Sequence, residues 1–388
     1  SRLRPGYAGT VLEKRTATIV FDATDGGVWT VELAGGRGRA RRGSAADPTL
    51  VVHSSAATLA RVVSGEASGV TAFLDGDLTV RGDLALSLQL DGLFAHQEER
   101  PVHFARALET TAMGVRTAYL EAGPPDAPPV ILLHGLGASK VSLLPVVAGL
   151  SAHHRVIALD FPGFGKSSSP VGAPYDAAWF AKVVRRTMDA AEVDSAFLVG
   201  NSMGGRVSVE LALQSPERVR GIGLLCPAVA FDEYRLLRPF LQASRLDLAL
   251  GVPGWKVPGP LPGWIVRNGL RAMFADHTRV PAANLDAAQQ DFLRSIDNRR
   301  RRLAFLACTR RLGMESPARF WPRLVELQAP SLWVFGDRDR LVSPNYAELV
   351  RSACPTAHVE VWDSCGHVPQ FEHPHVTNQR LREFFAAC

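Results

Sequence analysis

Residues 196–205 read Ala-Phe-Leu-Val-Gly-Asn-Ser-Met-Gly-Gly: an apolar run closing on Gly200, a serine at 202, then two glycines ahead of a helical pattern over Arg206–Gln214. A serine on a tight strand-to-helix turn needs small flanking residues, because a Cβ at either glycine would crowd the neighbouring strand and helix. Its hydroxyl is then lifted clear of the sheet edge, and the helix N-terminus behind it favours developing negative charge. Gly-x-Ser-x-Gly alone is a weak motif, and a glycine-flanked helix cap at Ser202 is the structural alternative. Its place between apolar run and helix decides for a nucleophile.

Working outward, similar runs recur at PVILLH (129–134), RVIALD (155–160), GIGLLC (221–226), SLWVFG (331–336) and HVEVWD (358–363), some separated by helical patterns such as Ala177–Ala191. Strands buried on both faces read as solid apolar runs, so this texture, which starts near Val115, predicts a parallel sheet covered by helices, an α/β architecture. Between Cys226 and Ala329 no strand is evident, only helix-compatible stretches and the Pro/Gly-rich GVPGWKVPGPLPGW. An insertion that long predicts a helical cap over the strand ends, with a purely stabilising helical subdomain as the alternative.

A serine hydroxyl is a poor nucleophile at neutral pH and needs a base within reach. Of eleven histidines, His367 lies just beyond HVEVWD, on a loop that a parallel sheet brings to the same edge as Ser202. His134 ends a strand in HGLG and competes for the role, although the glycines after it suggest another job. The imidazole needs an acceptor to fix its tautomer. SLWVFG runs into Asp337-Arg338-Asp339 at that edge; Asp339 is preferred, with Asp337 in reserve or capping the turn. The chain order Ser202, Asp339, His367 differs from that of the serine protease folds. An oxyanion needs preorganised donors, and these are assigned to the main chain of Leu136 in HGLG and of Met203. Asp160-Phe161-Pro162-Gly163-Phe164-Gly165 reads as a structural turn.

The first hundred residues have another texture. Alternation in Thr16–Phe21 and Val28–Leu33 around DATDGG predicts an antiparallel hairpin. A Gly/Arg-rich loop, GGRGRARRG, precedes a strand TLVVH and a short helix capped by Ser54 or Ser55. Val70–Leu74 and Leu78–Val80 read as further strands, and LALSLQLDGLF as a helical segment; together they make an α+β unit.

From about 115 to 388 the chain resembles the α/β-hydrolase fold family, serine hydrolase branch, through HGLG, DFPGFGKS, GNSMGG, GDRDRLVSP and GHVPQFEHP in family order. The resemblance implies Ser202 as nucleophile, His367 as base, Asp339 as acid and Leu136 with Met203 as oxyanion hole. Serine at the turn departs from the haloalkane dehalogenases and epoxide hydrolases, which carry aspartate there. GNSMGG is also similar to the carbon–carbon bond hydrolases of aromatic-ring degradation, but their glycine-rich run after the first HG is missing and Val368 replaces Trp after the base. A carboxylic ester, lipophilic or lipid-like, is the expected substrate; a carbon–carbon bond hydrolase, an acyltransferase and a non-catalytic lipid carrier are the alternatives. Residues of about 16–94 more weakly resemble the sterol carrier protein lipid-binding domain, with Leu84, Leu86, Leu88, Leu90, Leu93 and Phe94 as candidate tunnel wall or ordinary core. The expected organisation is a sterol-carrier-like domain at 1–100, a hydrolase core at 101–226 and 320–388, and a cap at 227–319.

With 388 residues, 46% hydrophobic and 21% charged, the chain has a globular composition that excludes disorder and coiled coil. A net charge of +5 does not argue for a nucleic-acid surface. The clusters Arg37–Arg42 and Arg299–Arg302 read as a solvated loop or helix face, in preference to peripheral contact with anionic lipid headgroups. The five cysteines show no Cys-x-x-Cys spacing, so free thiols in a cytoplasmic setting are expected, with no metal or cofactor. No apolar run reaches membrane-spanning length. The chain opens on Ser1, which leaves an upstream targeting segment open. Oligomeric state is not legible.

Overall fold

In the computed structural model, which describes residues 16–35, 37–64, 66–67, 69–87, 90, 105–229, 262–279, 288–290, 292–293, 296–313 and 317–388, the alternation of Ala17, Ile19, Phe21 and Ala23 becomes the buried face of β1 (Ala17–Ala23). β1 pairs antiparallel with β2 (Gly27–Ala34), which pairs with β3 (Arg37–Arg42); on its other side β1 runs parallel to β4 (Leu50–Ser54). Helices α1 (Ala56–Ser64) and α2 (Gly69–Leu74) lead to β5 (Leu78–Gly82), antiparallel to β4 and followed by α3 (Leu84–Ser87). The sheet order is β3-β2-β1-β4-β5. Ser55, rather than Ser54, caps α1: its Oγ accepts the Thr58 N–H at 3.1 Å, while the Ser54 hydroxyl donates to the Asp77 carbonyl. Leu86 and Leu90 join Ile19, Leu33, Leu50 and Val52 in one core. The side chain of Leu84, and Leu88, Leu93 and Phe94, lie outside the described residues.

Two expectations are corrected here. Val70–Leu74 is not a strand but belongs to α2, closed by the Asp75 N–H donating to the Thr71 carbonyl at 2.9 Å and ended by Gly76 at φ 80. β-Branched Val70 and Thr71 suggest a strand, but propensity over so few residues yields to the helix stop that Gly76 supplies. Arg37–Arg42 is not a loop but the edge strand β3, its arginines mostly exposed. An edge strand has no second partner to satisfy, and charge along it blocks further pairing, so its composition hides its structure.

β6 (Ala105–Ala112) and β7 (Val115–Ala122) are joined by Met113 and Gly114 at φ 55 and 73, the two positive values of a tight hairpin turn. Then follow β8 (Pro129–Leu133), α4 (Leu144–Leu150), β9 (Arg155–Leu159), α5 (Ala177–Ala190), β10 (Ala196–Asn201), α6 (Met203–Gln214) and β11 (Val219–Leu225). After the insertion come β12 (Ser331–Gly336) and β13 (His358–Trp362), in a sheet of order β13-β12-β11-β10-β8-β9-β7-β6. β8, β10, β11, β12 and β13 pair in parallel, so their carboxyl ends share one edge, where crevices form in such sheets. The residues group into two compact units, one around the five-stranded sheet with Leu120–Ala127 and Ala148–Arg155, the other holding the parallel strands.

Of the insertion, residues 230–261, 280–287, 291, 294–295 and 314–316 lie outside the described residues. The described part contains the helices α7 (Gly263–Arg271), α8 (Arg299–Gly313) and α9 (Pro317–Phe320) and no strand. Toward the C-terminus come α10 (Tyr346–Ala353), α11 (Pro369–Glu372) and α12 (Pro374–Ala387). All five cysteines are free thiols, and among the described residues no helix is long and apolar enough to cross a membrane.

Candidate active site

β10 ends at Asn201 and the chain reverses through Ser202, at φ 54 and ψ −115, directly into α6. A non-glycine residue in this left-handed region is strained and persists only where its surroundings hold it. Here the Ser202 N–H donates to the Leu225 carbonyl at 3.0 Å, and the Ser202 carbonyl accepts the Ala228 N–H at 2.9 Å. The turn is also as tight as the motif requires: a Cβ on Gly200 would lie 2.3 Å from the Gly204 carbonyl carbon, and one on Gly204 would lie 2.0 Å from the Leu133 oxygen. The Ser202 hydroxyl makes no capping bond to α6, so it is not spent on ending the helix.

His367 and Asp339 meet directly. Imidazole Nδ1 lies 2.8 Å from Asp339 Oδ2, with both side chains buried. The other carboxylate oxygen accepts the backbone N–H groups of Leu341 and Val342 at 2.7 and 3.0 Å. Burial opposes ionisation, but the adjacent His367 ring and those two N–H donors outweigh it and hold the Asp339 carboxyl below its ordinary range. An ionised Asp339 leaves Nδ1 as the donor and Nε2 as the nitrogen free to accept a proton. The His367 loop is laced to the turn after β12: Asp337 N–H donates to the Trp362 carbonyl at 3.0 Å, Arg338 N–H to the Cys365 carbonyl at 2.9 Å, and Cys365 N–H to Asp337 Oδ1 at 3.0 Å. Asp337, the reserve acid, is thus occupied in capping.

Ser202 and the His367 loop are tied through the residue before the serine. Asn201 Nδ2 donates to the Leu225 carbonyl at 3.0 Å and to the His367 carbonyl at 3.1 Å. From the other side, the His367 N–H donates to the carbonyl of Met273, in the insertion, at 2.7 Å. The buried Cys226 thiol lies on the Gly366 carbonyl at 3.4 Å, with Sγ, Asp339 and His367 ligand atoms all within 4.8 Å of one another. Burial and the Asp339 charge push this thiol well up, so it stays protonated and donates to the Gly366 carbonyl. Its chemistry fits a hydrogen-bonded support.

The turn after β8 approaches the same point: a Cβ on Gly135 would lie 3.5 Å from the Ser202 Cβ. Leu136 follows in that turn. Met203 opens α6, where a first-turn N–H has no acceptor within its own helix. His134 has a different task. Its Nδ1 donates to the Gly135 carbonyl at 2.8 Å and its Nε2 accepts the Phe161 N–H at 3.0 Å, while complete burial lowers its pKa to about 4. It is a neutral stitch between the loops after β8 and β9. Asp160 is structural, as expected: it accepts the N–H groups of Lys140 and Lys166 at 2.8 and 2.9 Å and pairs with the buried Lys140 ammonium.

Helix α8 covers these loops along one face. Arg301 donates to the Gly165 carbonyl at 2.9 Å, Ala304 meets Gly163, Phe305 lies against Gly137 and the Cys308 thiol lies 3.2 Å from the Met203 sulfur. Positions 301, 304, 305 and 308 are the spacing of one helical face. Phe292 packs edge-on to Phe305 at 5.8 Å between centroids, and a Cβ on Gly137 would lie 2.7 Å from it. Arg301, read from sequence as solvated charge, is therefore an anchor. Sequence reasoning also missed Asn201, Met273, Cys226 and Lys140.

A family model described as alpha/beta hydrolase fold matches residues 128–374. The chain belongs to that hydrolase family. It is an enzyme, and a second family model, the SCP-2 sterol transfer family, matches residues 2–95 of this hydrolase. The RutD protein of Azorhizobium caulinodans, named for carbamate hydrolysis, is 29% identical over 260 residues, 66% of this chain and 90% of that one. The 2-hydroxy-6-oxononadienedioate/2-hydroxy-6-oxononatrienedioate hydrolase of Escherichia coli K12 is 28% identical over 264 residues, 66% of this chain and 86% of its own length. Among solved structures, a membrane phospholipase A described as a bacterial virulence factor superposes with a TM-score of 0.60 at 27% identity, covering 73% of this hydrolase and 86% of that chain.

Proposed function

We propose that this hydrolase cleaves the carboxylic ester of a lipophilic substrate through an acyl-enzyme, with Ser202 as nucleophile, His367 as general base and acid, and Asp339 as the group that orients and charge-balances the imidazole. The observation that carries this reading is the 2.8 Å bond between buried His367 and Asp339, on a loop that Asn201 ties to the strained turn bearing Ser202. His367 Nε2 takes the hydroxyl proton as Ser202 attacks the carbonyl, then delivers it to the departing alcohol; water repeats the cycle to release the acid. The Leu136 and Met203 N–H groups receive the oxyanion, a contribution of about 100- to 1000-fold in turnover. No metal or cofactor enters these steps.

A lipophilic ester is supported by Phe292 and Phe305, which the insertion lays against Gly137, by the 27% identity to a phospholipase A structure, and by the SCP-2 match at residues 2–95. The 28% identity to a hydrolase of a ring-cleavage-type dienedioate favours a second reading, carbon–carbon bond hydrolysis on the same residues. A covalent serine probe and a substrate panel decide. Wild type labels at Ser202 and turns over fatty and aryl esters, Ser202→Ala does neither, and a vinylogous diketone is cleaved slowly. Faster cleavage of the diketone than of every ester would reverse the order of the two readings, and labelling that survives Ser202→Ala would remove both.

A further inference from the structure

The insertion and the His367 loop are joined through one side chain that the catalytic reading leaves unused. Glu372, on α11, sends Oε1 to the Gly366 N–H at 2.8 Å and Oε2 to the Ala275 N–H at 2.7 Å. Gly366 precedes His367, and Ala275 lies two residues after Met273, whose carbonyl accepts the His367 N–H at 2.7 Å. Between these polar links Phe274 packs on Val368, with Met273 and Phe371 beside them. The approach leaves no room for a side chain at 366: a Cβ there would lie 2.5 Å from the Met273 oxygen and 2.6 Å from the Ala275 nitrogen. Thus the backbone before the imidazole is held to the insertion, directly at the His367 N–H and through Glu372 at the Gly366 N–H, while the His367 carbonyl after it is held to the sheet edge by Asn201.

We propose that Glu372 is a positioning residue that makes the alignment of His367 depend on the seating of the insertion segment Met273–Ala275, by bridging the Gly366 and Ala275 amides with its two carboxylate oxygens. The proposal rests on the reading of His367 as the general base. A carboxylate accepting two N–H groups in partly buried surroundings is stronger and more directional than a neutral acceptor, and removing it leaves two amides without a partner. The segment then loosens from the loop, and the ring it carries loses its fixed approach to Ser202. A misplacement of about 1 Å at a reacting group lowers turnover on the order of 100-fold.

The test compares full-length wild type with Glu372→Ala and Glu372→Gln, reading kcat and KM on an aryl acetate, Tm, and the downfield proton NMR signal of the His367 Nδ1–H shared with Asp339. Glu372→Ala is expected to lower kcat about 10- to 100-fold with KM changed less than about 3-fold, and to broaden or shift that signal. Glu372→Gln keeps one acceptor oxygen and recovers part of both. Unchanged kcat and an unchanged imidazole proton in Glu372→Ala, even with a lower Tm, would overturn the proposal; if Glu372→Ala does not fold, Glu372→Gln decides on the same two readouts. Should wild type neither turn over esters nor label at Ser202, the hydrolytic reading fails separately, and the imidazole proton alone then decides: its broadening or shift in Glu372→Ala supports the clip, its persistence unchanged there overturns it.

Discussion

Asn201 and His367, 166 positions apart, are joined by a hydrogen bond of 3.1 Å from the Asn201 amide to the His367 carbonyl. The residue immediately before the strained serine thereby holds the backbone of the imidazole on the next loop. Replacing Asn201 by Ala leaves the His367 carbonyl without this donor, while the Leu225 carbonyl keeps the Ser202 N–H, a cost of about 1–3 kcal/mol for the buried group, and frees the loop. Turnover should fall by about 10- to 100-fold with KM nearly unchanged. Steady-state kinetics beside a thermal melt check it: a lower Tm with full kcat would reduce Asn201 to a fold residue.

Asp339→Asn tests the orientation of the ring. Leu341 and Val342 donate to Oδ1, so an amide at 339 keeps its oxygen there and turns its NH2 toward His367 Nδ1, which then becomes the acceptor. The proton moves to Nε2, the wrong nitrogen for taking one from Ser202, and turnover should drop by about 10,000-fold, as in the Ser-His-Asp template. Labelling of Ser202 by a fluorophosphonate should slow in parallel. Normal labelling would mean that Asp337, not Asp339, serves the histidine.

What the sequence made legible follows a physical pattern. Ser202 and Asp339 follow the fully buried runs of β10 and β12, and such a run announces the strand whose carboxyl end they occupy, whereas His367 follows β13, an edge strand with no buried residue. β3 and β6 escaped because edge strands tolerate Arg37–Arg42 and the polar ARALETTA, which carry no period-two signal. Asn201, Met273 and Glu372 escaped for another reason. Their partners are backbone atoms of distant segments, and a carbonyl or an N–H is present at every position, so nothing in the residue types marks the contact.

Glu210 holds a buried charge cluster away from the site. It accepts from Arg206 at 2.9 Å and from both Arg323 Nη atoms at 3.0 Å, and the Arg206 guanidinium also lies 4.7 Å from the Phe320 ring centre. Burial opposes ionisation of Glu210, yet Arg323, Arg206 and Gln214 overcome it and hold its pKa down to about 2. Glu210→Gln removes the buried counter-charge of Arg206 and should cost about 3–5 kcal/mol in urea unfolding. Replacing Arg206 and Glu210 together by Met should cost less than that single change, because Arg323 can turn to water. A larger loss in the double variant would show that the ion cluster, not the unbalanced Arg206 charge, carries the stability.

His134 gives the fold a pH dependence whose sign is fixed by burial. Its pKa in the folded chain is about 4, against about 6.5 when unfolded. Above pH 6.5 both states hold the ring neutral and it imposes no cost. As pH falls from 6.5 toward 4 the unfolded chain binds a proton that the folded chain refuses, so stability declines through that window by about 3 kcal/mol in total. His134→Gln removes the titration. The variant should be less stable at pH 7.5, since a flexible amide replaces the rigid ring between Gly135 and Phe161, but should lose less of its remaining stability between pH 7.5 and pH 5 than wild type does. Melting both proteins at the two pH values reads the difference, and equal acid losses would show that His134 is protonated in the folded chain despite its burial.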